Sequence, residues 1–287
     1  MICATGSKPY NDLYLYLLNG MLSNNDEQIL GDAFLGNWVE GGNSFLFFSK
    51  PSRDVVAGVS SKHPGIELVE DHYFTYEQWQ GGGLDAIRIG KFLIVPPWVD
   101  REAGEGVIKI FLDPGVVFGN CLHPTTRDCL KALSIVAAKD QMDRVLDLGT
   151  GTGILAIAAA LVGAKRVLAV DLNPLCVKTA RENVKLNHPE GTIRVVEGSA
   201  EDIVGEPADL VFANIHYKVI KGLLGRKSFS KKRQLIISGL MRSQYRDVRV
   251  ELERRNFRIV REWDHEMTWY TVLAKKEGER GAPAILG

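Results

Sequence analysis

The sequence predicts an α/β protein in which a doubly wound, mostly parallel seven-stranded sheet over residues 105–276 follows a small α+β unit. Three observations carry this prediction. From Val107 onward, strand-like runs alternate with helix-length periodic segments, the signature of a parallel sheet built from crossover units. The strand at Val145-Leu146 feeds a glycine-rich turn and then an almost wholly apolar helix over residues 154–162, as expected of a helix packed closely on a sheet. Two late runs, residues 257–261 and 270–274, are spaced to close the sheet as a terminal hairpin.

Each element has its own signal. Residues 1–75 alternate short apolar runs (13–18, 45–48 and 55–59) with Gly/Asn-rich turns such as Glu40-Gly-Gly-Asn43. They hold no cluster of ligands or nucleophiles. Residues 76–104, with Gly81-Gly-Gly83, the strand-like Phe92-Leu-Ile-Val95 and Pro96-Pro97, read as a linker with one embedded strand. Further strands are expected at 166–170, ending at Asp171, and at 193–196, 208–213 and 235–237. A helix over 125–138 places Thr126, Cys129, Leu130 and Leu133 on one face. Another starts at Asn173-Pro174, a capping residue followed by proline in the first turn. Residues 277–287 read as a flexible tail.

Composition narrows the function. Of 287 residues, 45% are hydrophobic and 24% charged, the balance of a chain able to bury a large core. Lys plus Arg equals Asp plus Glu at 35 each, so no overall field draws the chain onto nucleic acid. The basic stretch 218–233 reads as a solvated surface. Cys3, Cys121, Cys129 and Cys176 form no C-x-x-C pair, so a metal site and a disulfide framework are both disfavoured. With neither a secretory leader nor an apolar run of the roughly 20 residues a span needs, the chain reads as cytoplasmic and away from membranes. A monomer is expected.

The chemistry concentrates in Leu146-Asp-Leu-Gly-Thr-Gly-Thr-Gly-Ile154. A strand feeding Gly149, Gly151 and Gly153 lets the backbone pass close to a ligand at the start of the next helix. Asp171 stands 22 residues after Gly149 at the end of a strand, where a carboxylate can accept ribose hydroxyls. A dinucleotide and an adenosyl cofactor both fit that description. The G-x-G-x-G spacing, Asp147 two positions before the first glycine and Asn173 after Asp171 favour the adenosyl cofactor, because a carboxylate at Asp147 repels pyrophosphate and attracts a cationic sulfonium. Glu197-Gly-Ser-Ala-Glu-Asp202 supplies Ser199 and Ala200 in a loop placed for the adenine ring. Asn214-Ile-His-Tyr217 ends a strand on the ligand-binding edge, with Asn214 the candidate catalytic residue and Tyr217 a candidate wall.

Leu112-Asp-Pro-Gly-Val-Val-Phe-Gly119, His123-Pro-Thr-Thr-Arg127, the glycine loop, Ala213-Asn-Ile215, Ser238-Gly-Leu240 and Trp269 together resemble the class I, Rossmann-like methyltransferases that modify large-subunit ribosomal protein eleven. The similarity runs from about Trp79 to Lys275. It implies S-adenosyl-L-methionine as cofactor, held by Thr126, Gly149, Asp171 and Asn214 with Phe118 and Gly119 near the methionine end. The sequence departs from that pattern at Asn120-Cys121-Leu122, where the family carries a small Thr-Gly-Thr stretch, and at His216-Tyr217-Lys218, where it is small and apolar. Asn-x-x-Tyr is similar instead to the Asn-Pro-Pro-Tyr loop of enzymes that methylate amine and amide nitrogens.

The expected function is methylation of protein amino groups, lysine or α-amine, on that ribosomal protein or a related one. Three other readings stay open at this point: the same fold acting on another protein lysine or a small amine, a nicotinamide-dependent oxidoreductase using the same turn, and a non-catalytic cofactor-binding module.

Overall fold

Apolar residues at alternating positions, Leu13, Leu15 and Phe47 on one side of a pleat and Tyr16, Leu18, Leu46 and Phe48 near the other, organise the first sheet of this computed structural model, which describes residues 8–189 and 191–277. Its elements in chain order are β1 (Asp12–Asn19), α1 (Asn24–Glu27), β2 (Phe34–Glu40), β3 (Asn43–Phe48), α2 (Arg53–Ser60) and β4 (Glu67–Thr75). The strands pair antiparallel in the order β2-β3-β1-β4. One face is closed by Val56 and Val59 of α2. The other packs on Val116, Val117, Leu175 and Cys176 of the following domain, so the two halves share a core.

The segment read as a linker is more ordered than its composition implied. It holds α3 (Tyr76–Gln80), β5 (Ile87–Ile89) and β6 (Phe92–Val95), and the sheet β5-β6-β7 continues past residue 104 into β7 (Ile108–Phe111). Ile87-Arg-Ile89 is too short to carry a period of its own; it becomes a strand by pairing back on Phe92–Val95. Phe92, Ile94 and Ile110 then join one core with α4 (Pro124–Lys139), through Leu130 and Leu133. The expected tail, from residue 278 onward, lies outside the described residues.

The large sheet follows. It consists of β8 (Arg144–Leu148), α5 (Ile154–Leu161), β9 (Arg166–Asp171), α6 (Pro174–Asn187), β10 (Ile193–Glu197), α7 (Ala200–Ile203), β11 (Leu210–Asn214), α8 (Tyr217–Leu224), α9 (Lys227–Ser230), β12 (Gln234–Leu240), α10 (Arg242–Arg254), β13 (Phe257–His265) and β14 (Trp269–Lys276). The strand order is β10-β9-β8-β11-β12-β14-β13; only β14 runs against its neighbours, so the doubly wound, mostly parallel seven-stranded sheet is present. Helices α4, α5 and α6 cover one face, and α8 and α10 the other. The order reverses between β8 and β11, which opens a crevice at their carboxyl ends. No helix among the described residues is long and apolar enough to cross a membrane.

One buried side chain joins the segment before α4 to the glycine loop. Asn183 of α6, 0% exposed, donates from Nδ2 to the carbonyls of Asp113 (2.8 Å) and Thr152 (2.9 Å) and accepts from the Asp113 N–H (2.9 Å). Asn183→Ala strands these backbone groups away from water and is expected to lower unfolding free energy by about 2–4 kcal/mol in a denaturant titration with unchanged slope. A loss below about 0.5 kcal/mol would show that the bridge is not structural.

Candidate active site

Strand β8 delivers Asp147 to Gly153 into the crevice, and three backbone N–H groups tie the loop to the end of β9. The N–H groups of Gly149 and Thr150 donate to the Val170 carbonyl at 2.8 and 2.9 Å, and Asp171 Oδ2 accepts the Gly151 N–H at 2.9 Å. Gly149 and Gly151 have φ of 74° and 55°, conformations that other residues reach only with strain. A Cβ on Gly149 would lie 2.0 Å from Ile215 Cγ2, and one on Gly151 would lie 2.5 Å from the Phe118 carbonyl oxygen. The space that these glycines leave is therefore filled largely by the chain itself, and not only by a ligand as the motif implied.

A cleft of about 460 Å³ opens where the strand order reverses. Of the residues expected from sequence, Phe118, Gly149, Gly151, Asp171, Ser199, Ala200 and Asn214 line it. Asp171 closes β9 with Oδ1 accepting the Asn173 N–H at 3.0 Å, and burial holds its carboxyl above the usual range. Ser199 caps the short helix α7 by accepting the Asp202 N–H. Asn214 ends β11, and Gly239 leaves its amide room: a Cβ there would lie 3.2 Å from Asn214 Oδ1.

The other expected residues sit elsewhere. Asp147, 1% exposed, lies beneath the loop, where it accepts from Thr150 Oγ1 at 2.6 Å; burial pushes its carboxyl up to about 6. Gly153 starts α5, packed against Ala180, and Asn173 caps α6 by accepting the Leu175 N–H at 2.9 Å. Thr126 is buried at 1% exposure with its hydroxyl unpartnered, and its neighbour Thr125 faces the cleft instead. Gly119 accepts from Thr152 Oγ1 at 3.1 Å and faces an adjoining groove. Tyr217 does not wall the cleft: its hydroxyl donates to Asp247 Oδ2 at 2.8 Å, on α10, and Ile215 and His216 take the place expected for it.

Several cleft residues had no weight in the sequence reading. His123 caps α4, stands edge-on to Phe118 (5.5 Å between ring centres) and Trp269 (5.0 Å), and is held below its usual pKa by burial and by His265. Both His123 and Trp269 lie in stretches already quoted for the resemblance, which was the available signal. Trp38, from β2 of the first sheet, also lines the cleft. Nothing in its local sequence pointed there. Trp38, Phe118 and His123 are shared with the adjoining groove, of about 630 Å³. Among the described residues, no group of three His, Cys, Asp or Glu side chains is placed to hold a metal ion.

Comparison with known proteins agrees with the geometry. The chain is 36% identical over 193 residues to the ribosomal protein L11 methyltransferase of Staphylococcus aureus (strain JH1), an overlap of 66% of this chain and 61% of that protein. The chain thus spans about three-fifths of the length of the curated relatives it matches. The crystal structure of ribosomal protein L11 methylase from Lactobacillus delbrueckii subsp. bulgaricus superposes with a TM-score of 0.60 at 31% identity, covering 67% of this chain and 100% of that one. The family model "Ribosomal protein L11 methyltransferase (PrmA)" matches residues 57–277, and with the Rossmann-like sheet and its crevice in place, the chain belongs to that family.

Proposed function

We propose that the chain is an S-adenosyl-L-methionine-dependent N-methyltransferase acting on protein amino groups, lysine or α-amine, with ribosomal protein L11 or a related protein as acceptor. One observation carries the choice of donor. The formal charges lining the cleft among the described residues are Asp171 and Glu201, both acidic, with no lysine or arginine. Such a lining suits a cationic donor and opposes the pyrophosphate of a nicotinamide dinucleotide.

The residues present fit S-adenosylmethionine. Asp171 lines the cleft with a carboxylate, an acceptor-only group of the kind that ribose hydroxyls require. Ser199, Ala200, Phe118, Gly149 and Gly151 all line the cleft, which supports assigning the first two to the adenine and the other three to the methionine end. When bound, this cofactor supplies a methyl group on a sulfonium. Asn214 offers its side-chain oxygen to an amine hydrogen and so aims the nitrogen lone pair; alignment of this kind is the main contribution an enzyme makes to a displacement. The aromatic wall of Trp38, Phe118 and Trp269 desolvates the incoming nitrogen and favours its neutral, nucleophilic form.

The proposal includes action as a cytoplasmic monomer without direct nucleic-acid binding. Part of the basic stretch is already engaged within the protein: Lys232 is buried and donates to the Glu206 carbonyl, and Arg233 pairs with Asp209 at 3.1 Å.

Two measurements test this reading. Asn214→Ala is expected to cut turnover about 100-fold, the scale of a misaligned reactant, while donor affinity by calorimetry stays within about threefold; unchanged turnover removes Asn214 from the reaction. The second uses Asp147. Its raised pKa means that its contribution to folding is complete below about 4, the unfolded value, and is lost as pH rises through about 6. Cation binding runs the opposite way, since falling pH protonates the carboxyl and removes the negative charge beneath the loop. Donor affinity should fall about tenfold between pH 7.5 and 5, and Asp147→Asn should reduce that dependence, leaving the part carried by Asp171, whose carboxyl burial also raises. An Asp147→Asn protein with the parent's pH profile would assign the dependence to another group.

A further inference from the structure

The groove beside the cleft is lined by Trp38, Phe45 and Phe47 of the first sheet together with Trp79, Val117 and Leu122. Trp38 Nε1 donates to Glu40 Oε2 at 3.3 Å, and Phe47 and Trp79 meet edge-on with ring centres 5.1 Å apart, so the aromatic walls are oriented. Phe118, 49% exposed, stands where groove and cleft meet. An apolar side chain this exposed at the junction of two cavities gains by being covered.

The groove is also where this chain departs from the family pattern. Asn120 Nδ2 donates to both the carbonyl and Oε1 of Gln80, each at 2.8 Å, and Asn120 Oδ1 accepts the Leu122 N–H at 2.9 Å. Both amide hydrogens of Asn120 are therefore spent on the wall, and Leu122 presents an apolar side chain to the groove. Among the described residues, Glu40 is the acidic residue lining the groove and no lysine or arginine lines it, which opposes an anionic occupant.

We propose that this groove receives a large apolar side chain, aromatic or branched aliphatic, flanking the methyl-accepting amine in an extended segment of the acceptor polypeptide. The proposal rests on the reading that the acceptor is a protein amine. Trp38, Phe118 and His123 line both the groove and the cleft that Asn214 also lines, so an extended chain entering the cleft runs on into the groove. Glu40 at the rim suits a basic segment. Trp38, Phe45 and Leu122 are then specificity-determining residues of the reaction.

The test compares two synthetic peptides of equal length and charge, one with lysine flanked by Phe and Leu and one with lysine flanked by Ser and Gly. Binding to the full chain is followed by tryptophan fluorescence, methyl transfer by labelled donor, and donor affinity by calorimetry as the check that each variant is folded. The parent protein should bind the apolar-flanked peptide about tenfold more tightly, as expected for burial of one such side chain. Phe45→Ala and Leu122→Asn should each narrow the ratio to about threefold or less by weakening that peptide alone, with donor affinity unchanged. Equal binding of the two peptides by the parent, or a preference unaltered in both variants, overturns the proposal. Selective binding with no methyl group reaching either the lysine or the peptide's α-amine instead supports the groove and overturns the protein-amine reading, so the two fail separately.

Discussion

The glycine loop is locked to a segment more than thirty residues earlier in the chain, and the rest of the site depends on that lock. The Thr152 N–H donates to the Phe118 carbonyl at 3.1 Å, Thr152 Oγ1 donates to Gly119, and Asn183 ties the Thr152 carbonyl to Asp113. Backbone groups at a strand-to-helix turn must find partners somewhere. Here they find them in residues 113–119, and the missing Cβ of Gly151 is what allows the Phe118 carbonyl to come so close.

That lock makes residues 113–122 a shared wall. Their outer side, at Val116 and Val117, packs on Leu13, Leu15 and Phe47 of the first sheet and on Leu175 and Cys176 of α6. The first sheet is thereby seated against the large domain, and β2 carries Trp38 to the mouth of the cleft. The site is composite: the large sheet supplies the glycine loop, Asp171, Ser199 and Asn214, while the wall and the first sheet supply Phe118, His123 and Trp38.

Charge follows the same division. Burial raises the carboxyls of Asp147 and Asp171, and each is partly compensated by donors from the turn it supports, Thr150 for Asp147 and the Gly151 and Asn173 N–H groups for Asp171. Of the two, Asp171 lines the cleft and Asp147 lies beneath the loop. On the aromatic side the carboxylate is that of Glu40, held by Trp38 Nε1 at 3.3 Å.

Periodicity and punctuation determined most of the large domain: the alternation of strands and helices, the Asn173 cap, the glycine loop, Asp171 at a strand end and Asn214 at another were all legible because each is a local pattern. Where the structure departs from the local pattern, the cause is long-range. Ile87-Arg-Ile89 has no period until Phe92–Val95 pairs with it. Asp147 and Thr126 occupy the right stretches but turn into the core, and Tyr217 turns to Asp247 because the first turn of α8 points it toward α10, leaving Ile215 and His216 at the cleft. Trp38 reaches the site only because the first sheet packs on Val116 and Val117 of the wall and on the start of α6. A sequence determines which side chains a strand or turn can present; which of them faces a ligand is decided by the packing of elements distant in the chain, since burial and hydrogen-bond satisfaction are properties of the whole fold.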